Sequence, residues 1–140
     1  MIRKETKINS QNINFYINWV LTEEIAIGPA PVKLKHIVYL QKLGISSVLS
    51  LSSAIEAEPP LSMESLIRCR RIVLPDHKTG QYPTLNQILK CINTLKELKT
   101  YGSVYVHCVA AMERSPLVCM AWLIKEHDLS PQESLDYLMQ

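Results

Sequence analysis

Short runs of Ile, Val and Leu alternate with segments whose apolar residues recur every three or four positions, and that alternation constrains the fold more than any single residue does. Phe15 to Leu21 and Ile25 to Ile27 read as two strands, with Gly28-Pro29-Ala30-Pro31 as the turn behind them. From Pro31 the pattern becomes helical: Leu34, Ile37, Val38 and Leu40 or Leu43 share one side, and Gly44 suits the position just past the helix end. Ile45 to Leu51 is a strand, Ser52 to Pro60 a loop, Ser62 to Ile67 a short helix and Arg71 to Leu74 a further strand. Pro75 to Pro83 is too polar for an element and reads as a functional loop. Thr84 and Gln87 form a capping box for a helix reaching Tyr101-Gly102, and Val104 to Val106 is a buried strand. A helix follows Ser115 as far as about Glu126, and Ser130-Pro131-Gln132-Glu133 opens a closing helix that runs to Gln140. The pattern implies an α/β fold: a mostly parallel central sheet of about four to five strands, helices on both faces and right-handed crossovers. With no repeat, low-complexity tract or composition break, residues 1–140 are expected to form a single domain.

Composition excludes several classes of function. Lys and Arg exceed Asp and Glu by 15 to 13, a net charge of +2 that gives no electrostatic reason to expect nucleic acid or an anionic membrane as partner. The four cysteines, Cys69, Cys91, Cys108 and Cys119, include no Cys-x-x-Cys pair and no His at ligand spacing, which argues against a zinc site and for free thiols in a cytoplasmic protein. Met1 to Ser10 is too polar for a secretory signal, and the longest apolar run, Leu117 to Ile124, is far short of a membrane span.

In sheets of this kind ligands bind beyond the carboxyl ends of the strands, which directs attention to Ser52-Ser53, Pro75-Asp76-His77 and His107 to Ser115. The last segment places Cys108 directly after a strand, Arg114 six positions on, and a helix start behind it. The backbone N–H groups of Val109, Ala110, Ala111, Met112, Glu113 and Arg114 can point inward at one centre, making an anion nest sized for phosphate. The same positive potential favours the nucleophilic thiolate of Cys108. Arg114 can clamp two phosphate oxygens with its planar fork, and Ser115 can hydrogen-bond the thiolate. The Cys-to-Arg spacing is weak alone; the strand before, the apolar helix after, His107 and Ser115 give it force.

His107-Cys108 through Arg114-Ser115 resembles the signature loop of the cysteine-dependent protein tyrosine phosphatase superfamily. The small size and the position of Asp76 upstream are most similar to the dual-specificity phosphatases, and Ile25 to Ala30 with the helix and strand reaching Leu51 resembles their N-terminal half. The resemblance implies a protein phosphatase acting on phosphotyrosine, with phosphoserine and phosphothreonine as further substrates. Cys108 would form a cysteinyl-phosphate, Asp76 would protonate the leaving oxygen and then activate water, and the loop backbone with Arg114 would hold the equatorial oxygens. It also implies that no metal or other cofactor is needed. Asp128 and Asp136, the other aspartates, lie downstream of the loop.

The loop departs from the family pattern at Ala111 and Glu113, where many members carry Gly. If position 111 demands a positive φ, Ala costs on the order of 1–2 kcal/mol. Glu113 brings a carboxylate to a phosphate site and is expected to point outward or pair with a cation; with no Lys in the loop, a highly anionic inositol phosphate is a less comfortable substrate. A phosphate-binding pseudophosphatase, or a phosphatase for phosphoinositides or RNA 5′ ends, is the alternative. His107 is read as orienting the loop, Cys119 as a core residue, Trp19 and Trp122 as core anchors, and Arg68, Arg70 and Arg71 as a solvated basic edge. His77 and Lys78 either help hold the acid loop or are solvated; His36 and His127 carry no signal. Oligomeric state is not legible from these residues.

Overall fold

The computed structural model describes residues 4–7, 15–109 and 113–139. In chain order its elements are β1 (Lys4–Lys7), β2 (Tyr16–Leu21), β3 (Ile25–Gly28), α1 (Leu34–Lys42), β4 (Ile45–Ser50), α2 (Met63–Leu66), β5 (Arg68–Arg71), a 3₁₀ turn (His77–Thr79), α3 (Leu85–Lys99), β6 (Ser103–His107), α4 (Arg114–Glu126) and α5 (Pro131–Leu138). The strands form one sheet in the order β1-β2-β3-β6-β4-β5. The pairs β3–β6, β6–β4 and β4–β5 are parallel, and the two pairs involving β2 are antiparallel.

β6 is buried along its whole length, and its alternating side chains feed two cores. Val104 and Val106 pack with Leu49, Ile25 and Ile27 against α3, α4 and α5, through Ile92, Leu95, Leu98, Val118, Trp122 and Leu138. Tyr105 points the other way, with Ile17, Trp19 and Val48, against Ile37 and Leu40 of α1 and Met63 of α2. Helices therefore cover both faces, as the alternation of elements implies.

The helix boundaries follow local chemistry. Thr84 and Ser130 accept from the backbone N–H three residues on, while Gln87 and Glu133 reach back to the caps. Gly44 at φ +86° lies just beyond the C-cap of α1. His36, which carried no signal in the sequence, accepts at Nδ1 from the N–H groups of Val32 and Lys33 and stacks on Phe15 with ring centroids 4.2 Å apart.

Three details differ from expectation. The sheet gains an edge strand at Lys4–Lys7, in a stretch too polar to register as a strand. β5 covers Arg68–Arg71 rather than Arg71–Leu74; a strand at a sheet edge can carry arginines because only one side needs a partner strand. Ile72 and Leu74 leave the ladder but still donate their N–H groups to Ser50 and Leu51, so the chain runs extended to the foot of the polar loop. That loop holds one short 3₁₀ turn.

Gly28 ends β3 directly beneath Tyr105, whose hydroxyl donates to the Pro29 carbonyl at 2.6 Å. A methyl group there would meet both the Tyr105 hydroxyl and the Tyr16 carbonyl oxygen. Gly28→Ala is expected to destabilise the fold by about 1–3 kcal/mol through this overpacking, read as a lowered midpoint in thermal or urea unfolding.

Candidate active site

Parallel pairing of β4 and β6 sets Ser50 opposite His107 and brings the segments after β4, β5 and β6 together at one end of the sheet. His107 is buried at the end of β6. Its Nδ1 lies 3.2 Å from the Cys108 carbonyl, and its Nε2 lies 2.6 Å from Ser50 Oγ. A carbonyl can only accept, so Nδ1 carries the hydrogen and Nε2 accepts from the Ser50 hydroxyl. Burial, opposed by the Cys108 carbonyl bond and reinforced by Arg71 and Arg114, lowers the imidazole pKa to about 4, so the ring is neutral at ordinary pH. The orienting role expected of His107 has this geometry; Ser50, its anchor, was not singled out in the sequence.

Cys108 follows immediately and is buried, with Sγ 3.4 Å from the Val109 carbonyl. Ala110, Ala111 and Met112 lie outside the described residues, and with them the question of backbone strain at Ala111. The chain resumes at Glu113 and enters α4, whose 13 residues put a helix N-terminus behind the loop. Ser115, in the first turn of α4, is fully buried, and its hydroxyl has no hydrogen-bond partner among the described residues.

Arg114 organises the site. Its Nη1 donates to the Leu74 carbonyl at 3.1 Å and lies 3.5 Å from that of Leu51, while Nη1 and Nη2 meet Glu56 at 3.3 and 2.9 Å. One edge of the guanidinium is thus spent on the protein. The other edge, Nε–H with the second Nη2 hydrogen, meets no acceptor among the described residues and is the edge suited to grip two oxygens of an oxyanion. Burial opposes its charge, but Glu56, Cys108 and Asp76 together hold its pKa above the ordinary value. Glu56 lies in the loop expected after β4 but was not named from sequence, because nothing in Ala54-Ile55-Glu56-Ala57 marks a partner 58 positions away.

Asp76 caps the 3₁₀ turn: its Oδ1 accepts from the Lys78 N–H at 3.2 Å and lies 2.9 Å from His77 Nδ1. The Lys78 N–H is the largest cause and, with smaller contributions from the neighbouring His77, Arg114 and Lys78, outweighs desolvation and holds the carboxyl below its usual 3.8. His77 also contacts the Glu113 carboxylate through Nδ1. Glu113 is therefore paired across the cleft, one of the two outcomes its sequence position allowed. Asp76, His77 and Glu113 form a group, among the described residues, whose donor atoms lie within 4.8 Å of one another, as a metal site requires; here His77 Nδ1 is already engaged with Glu113.

The family described as dual specificity phosphatase, catalytic domain, matches residues 30–140. Among known proteins, the chain is 25% identical over 119 residues to the phosphatidylglycerophosphate phosphatase PTPMT2 of Arabidopsis thaliana, covering 84% of this chain and 52% of that protein. It is 29% identical over 102 residues to dual specificity protein phosphatase 2 of Mus musculus, covering 72% of this chain and 30% of that one. The chain thus spans about half the length of the first relative and under a third of the second. The solved structure of PTPMT1 in complex with PI(5)P superposes with a TM-score of 0.69 at 23% identity, over 82% of this chain and 76% of its own.

The Glu56–Arg114 pair has a pH signature. Hydrogen bonding to Arg114 holds the Glu56 pKa below 4.5, so the stability it confers is present above that value and is lost as pH falls through the lowered pKa. Glu56→Gln is expected to lower the neutral-pH melting temperature by a few degrees, on the order of 1 kcal/mol, because a buried guanidinium loses its counter-charge. The difference from the unmodified protein should close in melts taken at progressively more acidic pH.

Proposed function

The chain belongs to the dual-specificity phosphatase catalytic-domain family, and on that premise we propose that it is a phosphoric monoester hydrolase acting on phosphotyrosine, and on phosphoserine and phosphothreonine, in proteins or peptides. The observation that carries the reading is the placement of Arg114: its inner edge holds Glu56 and the Leu74 carbonyl, two residues before Asp76, while its outer edge, six positions after Cys108, meets no acceptor among the described residues. Cys108, Arg114 and Asp76 are the three groups that a thiolate route to phosphate hydrolysis requires.

In this reading the outer edge of Arg114 and the N–H groups from Val109 to Arg114 grip the equatorial oxygens of the phosphoryl group. Cys108 Sγ attacks phosphorus in line; the P–S bond forms as the ester P–O bond breaks, and Asp76 gives its proton to the leaving oxygen. Asp76, now a carboxylate, takes a proton from water as that water attacks phosphorus. The P–S bond then breaks, inorganic phosphate departs, and the Ser115 hydroxyl, buried and without a partner among the described residues, would donate to the returning thiolate. No step draws on a metal ion or cofactor. The four free thiols support a reducing compartment such as the cytoplasm, and residues 1–140 are proposed to act as one catalytic unit.

A second reading, a lipid phosphomonoester as substrate, is favoured by the phosphatidylglycerophosphate phosphatase relative and by exposed apolar side chains beside the cleft, Ile55 at 97% and Tyr82 at 82%. The pairing of Glu113 with His77 weakens the electrostatic objection to such a substrate.

Hydrolysis of para-nitrophenyl phosphate in EDTA tests the proposal. Turnover is expected, abolished in Cys108→Ser and reduced about 10²–10⁴-fold in Asp76→Asn. The acid must be protonated to act and its carboxyl is held below 3.8 in the free protein, so kcat/KM should fall as pH rises, and Asp76→Asn should flatten that fall. Absence of turnover by the folded, reduced protein would overturn the reading. Phosphotyrosyl peptide against a short-chain lipid phosphate, compared by kcat/KM, decides between the two substrates.

A further inference from the structure

The loop that carries Asp76 is anchored firmly only at its foot. Leu74 is buried, its N–H donates to Leu51, and its carbonyl accepts from Arg114 at 3.1 Å. Beyond that the hydrogen bonds are local: the Thr79 N–H and hydroxyl to the Asp76 carbonyl, the Gly80 N–H to His77, the Lys78 N–H to Asp76. His77 to Tyr82 are exposed. Apolar packing does not close the seam either, since a cavity of about 210 Å³ lies between the loop and α4, lined by Pro75, Tyr82, Glu113 and Leu117 among others.

Across that seam His77 Nδ1 meets the Glu113 carboxylate, and the same nitrogen lies 2.9 Å from Asp76 Oδ1. Glu113 can only accept, so Nδ1 carries the hydrogen and donates it across the seam, with the Asp76 carboxylate beside the same nitrogen. Asp76 Oδ1 accepts from the Lys78 N–H, and Oδ2, which meets no donor among the described residues, is the oxygen free to carry the transferable proton. We propose that His77 and Glu113 are a positioning pair that pins the acid-bearing loop to the phosphate loop, so that Glu113 acts on the reaction through Asp76 rather than through the phosphate.

This rests on the phosphatase reading and extends it to two residues outside the nucleophile, the arginine and the acid. The pair predicts a leaving-group dependence. A phenolate that leaves easily needs little proton donation, whereas a poor leaving group needs a well-placed acid.

The test compares kcat/KM, in EDTA, for phenyl phosphate and for a dinitrophenyl phosphate. Glu113→Ala and His77→Ala should each lose about tenfold on phenyl phosphate, a part of what full general acid catalysis supplies, and several-fold less on the dinitrophenyl ester. The double variant should lose no more than either single one, and neither change should add to the loss in Asp76→Asn. Glu113→Gln, whose amide oxygen still accepts from Nδ1, should recover most of the activity. Hydrogen exchange at residues 77–80 should quicken in Glu113→Ala while the melting temperature holds.

Equal losses on both esters, losses that multiply with Asp76→Asn, or unchanged exchange would overturn the pair. If the unmodified protein turns over neither ester, the phosphatase reading fails by itself. Exchange still decides the pinning: quickened exchange in Glu113→Ala supports it and unchanged exchange overturns it.

Discussion

A guanidinium taken out of water must have its donors satisfied by the protein, and Arg114 meets that requirement with groups from three separate segments. The carbonyl of Leu51 comes from the end of β4, that of Leu74 from the end of the extended run after β5, and the carboxylate of Glu56 from the loop between them. Leu74 lies past the end of the ladder, where its carbonyl is open to the guanidinium, and the Leu51 carbonyl, which also accepts from the Leu74 N–H, turns a second lone pair toward it. The charge therefore sits where the ladder ends. Fold and site share that one constraint: three strand ends in register, and a cation that stitches them.

The same register explains the neutral His107. A ring at the end of a central strand is desolvated on both faces, and Ser50, directly opposite in the ladder, supplies the single hydroxyl that Nε2 needs. The hydrogen on Nδ1 then goes to the Cys108 carbonyl, fixing the peptide that follows β6. A charged imidazole would compete with Arg114 for any anion; a neutral one orients and leaves the arginine to bind.

Local chemistry was legible in the sequence. The caps at Thr84 and Ser130, the Gly44 stop, and the run from His107 to Ser115 all depend on residues within a few positions of one another, and periodicity or spacing reports them. The residues that escaped notice act over long separations or through the backbone. Glu56 reaches Arg114 across 58 positions and Ser50 reaches His107 across 57. Carbonyl acceptors such as Leu51 and Leu74 carry no side-chain signature at all. Ile72-Val73-Leu74 carries the apolar pattern of a strand, whereas the ladder of β5 is made by Arg68–Arg71 before it. Glu113 was visible as an anomaly, but its partner could not be read, since His77 lies 36 residues upstream in a segment without periodicity.

Those arginines also bear on how copies of the chain meet one another. β5 is the terminal strand of its end of the sheet, with one side of its backbone facing no strand among the described residues. Such an edge can template a strand from a second copy. Here the incoming strand, if it were the same segment, would bring Arg68, Arg70 and Arg71 within about 5 Å of their own counterparts. Arg70 already pairs with Glu97 and Arg68 covers the Tyr101 ring at 3.5 Å, but Arg71 brings no acidic partner to the rim among the described residues. Self-repulsion makes this rim a poor place for fibril growth.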